Sequence, residues 1–194
     1  MIARKAMTAS RAAALALLLS PTLALAHTGH YDGGGLMQGV MHPLAGLDHL
    51  LAMVAVGLWA AYAGGRALWA LPAAFVGMML AGAMLGFAGI ALPLMEPLIL
   101  ASVVVLGLLV AFNVRMPLMP GMALIALFGI FHGQAHALEM SAGAGAVAYA
   151  AGFAGTTALL HASGIALGRW LLAGRGARLI GLGMASAGVF MAVA

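Results

Sequence analysis

Histidines and carboxylates recur in this sequence at helical spacing. His132, His136 and Glu139 follow one another at intervals of four and three. On a helix all three share one face. His42 and His49 are seven apart, which also puts them on one face, about 10 Å apart along the axis. Asp48 lies about 100° round from His49. His161 stands alone in a later apolar run, and His27 and His30 lie in the polar stretch HTGHYDGGG. Imidazole and carboxylate donors without thiolate suit Ni²⁺, Co²⁺, Zn²⁺ or Cu²⁺. A hard ion such as Mg²⁺ prefers an all-oxygen site. Met53 follows His49 by four and Met140 follows His136 by four, so either thioether could add a soft donor.

Such groups need elements to position them, and the composition says which kind. Of 194 residues, 65% are hydrophobic and only 6% charged. A soluble domain carries about 25% charged residues, so a water-facing surface cannot be built from this chain. A cytosolic enzyme, a nucleic-acid binder and a disordered segment are excluded. The fold class is all-α, a polytopic membrane helical bundle. The absence of cysteine removes disulfides, thiolate sites and Cys nucleophiles. The net charge of +4 is no nucleic-acid signal, because Arg4, Lys5 and Arg11 lie together at the start.

That start has the form of a secretory signal peptide over residues 1–26. Basic residues precede a short apolar run, Pro21 and a small-x-small end, Ala24-Leu25-Ala26. Cleavage there would leave His27 with an α-amine and an imidazole, and His30 three residues on, as an outer capture site. Residues 27–40 are expected to be a flexible, periplasmic His/Gly-rich tail. Residues 41–194 are expected to form a six-helix transmembrane domain. The apolar runs place helices at about 43–63, 67–90, 97–114, 119–139, 143–168 and 176–193. Pro43 suits the first turn of a helix, which puts His42 at the mouth of the first span. With a translocated start, Arg66, Arg115, Arg169, Arg175 and Arg178 all fall on the inner side, as the positive-inside rule requires. Both ends are then periplasmic. Gly82/Gly86, Gly129/Gly133 and Gly164/Gly168 mark surfaces where helices can approach closely.

An ionisable group inside a bilayer costs about 2.5–3.5 kcal/mol on the insertion scale. An internal site or pathway is the default reading for the two clusters. A lone histidine such as His161 equally suits a hydrogen bond to a neighbouring helix.

The run HPLAGLDHLLAMVAVGLWA (42–60) closely resembles the HupE/UreJ family signature HPxxGxDHxxAMxxVGxxA. FHGQAHALE (131–139) resembles the second family block, FHGxAHxxE, and His161 is similar to a histidine in the family's fifth helix. The resemblance implies a small secondary permease of the bacterial inner membrane, associated with nickel uptake for hydrogenase and urease maturation. By position it implies His42, Asp48 and His49 from the first block and His132, His136 and Glu139 from the second. Ni²⁺ is the expected substrate, with Co²⁺, Zn²⁺ or Cu²⁺ possible, and no prosthetic group is expected. The expected partners are the transported ion and the lipid bilayer, with a homo-oligomer as a further option. No phosphate-binding loop is present, so direct ATP use is not expected. An intramembrane metalloenzyme is a second reading, although the histidines lack the HExxH arrangement. A metal sensor or accessory subunit without transport is a third.

Overall fold

The computed structural model describes residues 34–140, 145–171 and 176–194. The signal-peptide region, His27, His30, Asp32 and Arg175 lie outside these residues. Among the described residues there are seven helices and no strand: α1 Gly35–Ala45, α2 Leu47–Ala63, α3 Ala67–Phe87, α4 Met95–Ala111, α5 Leu118–Leu138, α6 Ala146–Leu171 and α7 Gly176–Val193. The last five follow the apolar runs of the sequence to within a few residues.

The first span differs from expectation. Residues 35–40, read as tail, are helical and open α1. The apolar residues Leu36, Met37, Val40 and Met41 extend the helical pattern forward. His42 therefore sits in the last turn of α1 rather than ahead of a single helix. Pro43 lacks the N–H that a continuing helix needs, and Gly46 is extended at φ −90°, ψ 117°. The two helices meet there at a bend of 82°.

Four helices (α3, α5, α6 and α7) are long and apolar enough to cross a membrane, and the bent α1–α2 pair makes five. Helix α4 is apolar but has 17 residues, roughly 26 Å of rise. The polarity is inverted relative to a soluble protein. Trp69, Met84, Met119, Val147, Leu159 and Phe190 are exposed, whereas His49, His132, His136, His161, Ser102, Gln134 and Thr157 are buried. The protein is a multi-pass helical membrane protein.

Small residues set the helix pairings. Gly129 and Gly133 lie against the backbone of Phe75 and Met79, and Gly82 against Ile130, so α3 and α5 pack closely and run parallel. A Cβ at Gly133 would stand 1.7 Å from the Met79 carbonyl oxygen. Gly57 meets His161 and Gly164, and Gly168 meets Leu58 and Ala61, which pairs α2 with α6, also parallel. Gly107 and Gly181 close the antiparallel α4–α7 contact. Helix α2 is the centre of the bundle, with twelve of its residues buried from His49 to Tyr62.

The ends of the bundle differ in charge. Trp59 Nε1 donates to the Val114 carbonyl at 2.9 Å. Gly121 faces Trp59 and Leu71, and Arg178 lies over the Phe112 ring at 5.9 Å. These contacts bring the ends of α2, α4 and α6 to the starts of α3, α5 and α7. Arg66, Arg115, Arg169 and Arg178 share that end. Glu96, in the first turn of α4, and Glu139, capping α5, belong to the other.

Candidate metal centre

The end opposite the arginines gathers the chemistry. The break at Gly46 turns α1 across the top of α2, so His42 reaches the end of α5. Its Nε2 lies 2.8 Å from Glu139 Oε2, with the two side chains 19% and 38% exposed. This pair is the solvent-facing edge of the cluster.

Behind it lie three buried imidazoles. The His136 ring centre is 4.8 Å from that of His42 and 4.8 Å from that of His49. The His49 centre is 5.0 Å from that of His132. Phe153 of α6 stacks on His136 at 4.7 Å and an interplanar angle of 12°. Two imidazoles bound to one ion at a metal–nitrogen distance of about 2.0–2.1 Å have ring centres about 5 Å apart. The observed separations are on that scale. The rings stand edge to face instead of converging. Among the described residues, no three His, Asp or Glu side chains form a closed metal cage as they stand. The donors are assembled, and closing on an ion requires side-chain rotation.

Two of the rings are fixed by partners at Nδ1. His132 Nδ1 is 2.9 Å from the Phe128 carbonyl. A carbonyl only accepts, so Nδ1 carries the proton and Nε2 keeps its lone pair. His49 Nδ1 is 2.8 Å from Asp48 Oδ1, which also accepts the His49 backbone N–H. A Cβ at Gly46 would lie 2.9 Å from that same carboxylate oxygen, so a larger residue there would push the Asp48 side chain off His49. A carboxylate or carbonyl on one ring nitrogen is the usual outer support of a metal-binding histidine. The free atoms, His49 Nε2, His132 Nε2 and both nitrogens of His136, are buried without a hydrogen-bond partner. Orphaned buried donors and acceptors are costly, and these atoms are open to a ligand that could satisfy them.

His161 is buried further along the bundle. Its ring meets Phe75 at 5.2 Å, and Phe75 meets His132 at 5.2 Å, so one phenyl ring touches both imidazoles. Neither ring nitrogen of His161 has a partner. Glu96 is exposed and apart from the cluster.

The structure adds residues that the motif blocks alone do not single out. Gln134 donates to the Ile90 carbonyl and accepts from the Leu92 N–H at 2.9 Å, fastening the α3–α4 loop to α5. Tyr149 stands 5.9 Å from His42, ring to ring, with its hydroxyl buried and unpartnered. Tyr149, Phe153, Thr157 and His161 recur every four residues along α6, which was the available signal for this wall of the site.

The fold and this cluster define a multi-pass membrane protein with an internal histidine site. The HupE / UreJ protein family matches the chain over residues 15–191. The chain is also similar to Protein HupE of Rhizobium leguminosarum bv. viciae, 47% identical over 154 residues, which is 79% of this chain and 80% of that protein. No solved structure matches it. The chain belongs to the HupE/UreJ family.

Proposed function

We propose that this protein is a secondary permease that carries a divalent transition-metal ion, nickel foremost, across the bacterial inner membrane. One observation carries the reading: His42, His49, His132 and His136, from three helices, meet at one end of the bundle, and His49, His132 and His136 each keep a buried ring nitrogen that no protein group satisfies. In this reading the chain crosses six times, α1–α2 counting as one broken span and α4 as another. The arginine-bearing end faces the cytoplasm, as the positive-inside rule favours, and both termini are periplasmic.

The ion arrives from outside at the His42–Glu139 edge, with His27 and His30 of the leader-free N-terminus as a first capture point. It exchanges water for the nitrogens of His42, His136, His49 and His132, while Glu139 and Asp48 offset its charge. Asp48 acts mainly through His49, whose ring it orients. Four imidazoles and two carboxylates suit a borderline ion better than a hard one. Exit runs toward His161 and the arginine end. An open, edge-to-face arrangement is suited to transport, because an ion held too tightly would not leave.

The test is flux of radiolabelled Ni²⁺ into liposomes holding the purified protein, with Co²⁺, Zn²⁺ and Cu²⁺ as competitors. Metal entry that disappears in His49→Ala and His132→Ala supports the permease. Stoichiometric metal retention without flux would replace it with a sensor or accessory role.

A further inference from the structure

A second group of donors lies deeper in the bundle. The Thr157 hydroxyl of α6 lies 3.2 Å from Met53 Sδ of α2 and 3.6 Å from Met79 Sδ of α3. All three residues are fully buried. A hydroxyl in a helix ordinarily donates to a carbonyl one turn back. Ser102 and Ser163 do so here, donating to Ile99 and Leu160, and Thr156 donates to the Val40 carbonyl. Thr157 instead turns to two thioethers, which are weak acceptors. Its oxygen and both sulfurs therefore come together at one point among three helices.

The position of this point follows from helix periodicity. Met53 is one turn beyond His49 on α2, and Thr157 is one turn before His161 on α6. Met79 is one turn from Phe75 on α3, and its carbonyl lies against Gly133, next to His132. The group thus lies between the outer cluster and His161.

We propose that Met53 Sδ, Met79 Sδ and Thr157 Oγ1 form a second, softer ion-binding station, which receives the ion from His132 and passes it toward His161. This rests on the permease reading and adds a selectivity element to it. Thioethers are neutral and soft, so they favour Ni²⁺ or Cu⁺ and contribute little for Mg²⁺ or Mn²⁺. A station without formal charge also holds its ion weakly, which favours onward movement.

The test uses the full-length protein in liposomes, with radiolabelled Ni²⁺ flux in the presence of Mg²⁺ or Mn²⁺. It is paired with X-ray absorption at the nickel edge of protein held in saturating Ni²⁺. The chain has no cysteine, so any sulfur scattering around nickel comes from methionine. M53L/M79L keeps the packing volume, as Leu and Met exchange with little cost. In this variant the sulfur shell is expected to vanish and maximal flux to fall roughly tenfold, the scale of a lost contact around a metal. The apparent KM, set at the outer cluster, should stay near the wild-type value. Thr157→Val should slow flux, and Thr157→Ser, which restores the hydroxyl, should recover it. No sulfur shell in the wild type, or wild-type flux and selectivity in M53L/M79L, would overturn the station while leaving transport intact. Wild-type protein that moves no divalent ion would sink the permease reading, and the absorption spectrum would still decide whether the sulfur donors bind metal.

Discussion

The two ends of this bundle are built from the same helices and do opposite things. At the arginine end, the packing is apolar. Trp59, Leu71 and Val110 are buried, and the Trp59 indole donates to a neighbouring carbonyl. At the histidine end, a helix is broken, imidazoles replace aliphatic side chains and several ring nitrogens lack partners. Glycine contacts hold the helices together along the bundle, and the chemistry lies where the first span bends. The contrast teaches that a small membrane protein can keep a costly polar site if the rest of the bundle is closely packed around it.

The sharpest way to break this comparison is at the histidine end. His49→Ala and His132→Ala should each abolish Ni²⁺ uptake in whole cells while membrane insertion, read by immunoblot of membrane fractions, stays normal. Uptake near wild type in both would dissolve the distinction between the ends. Next comes the packing that surrounds the site. Gly133→Ala places a methyl against the Met79 carbonyl and should destabilise the protein by about 1–3 kcal/mol, or more if the backbone cannot shift. Gly77→Ala, on the same pair of helices but with open space at its Cβ, should be neutral or stabilising by up to about 1 kcal/mol. Thermal melting in detergent checks both, and equal melting temperatures would mean that the glycine contact is not what holds α3 to α5.

A smaller effect is expected at the opposite end. Trp59→Phe removes one hydrogen bond and should cost about 1 kcal/mol, with uptake unchanged. A transport defect there would extend the functional region through the whole bundle. The least perturbing test concerns orientation. Arg66→Cys and Arg115→Cys should leave uptake intact and react with membrane-impermeant thiol reagents only from the cytoplasmic side. Labelling from outside would reverse the assignment of the ends.

Much of this was legible in single segments. The spacing of His132, His136 and Glu139 places them on one face of α5 whatever α5 packs against. The pairs Gly129/Gly133 and Gly164/Gly168 mark close-approach surfaces because only a missing side chain allows backbones to touch. The start of the first span was less legible. Pro43 reads as a first-turn residue, yet it lies in the last turn of α1, because the apolar residues before it continue a helix that a glycine-rich context obscured. Tyr149 and Phe153 went unassigned for a related reason: on α6 alone they are apolar stripe residues, and only His42 and His136 give them a role.

Composition and periodicity alone determined a helical membrane protein, the positions of most of its helices and the faces that carry donors, since these depend on residues within a few turns of each other. The tertiary structure decided that α1 folds across to Glu139, that α3 and α5 run parallel, that Phe75 touches His132 and His161, and that a threonine meets two methionine sulfurs. Those facts depend on contacts between residues some tens to a hundred positions apart, where the pairing is chosen by which surfaces fit and no local period records the choice.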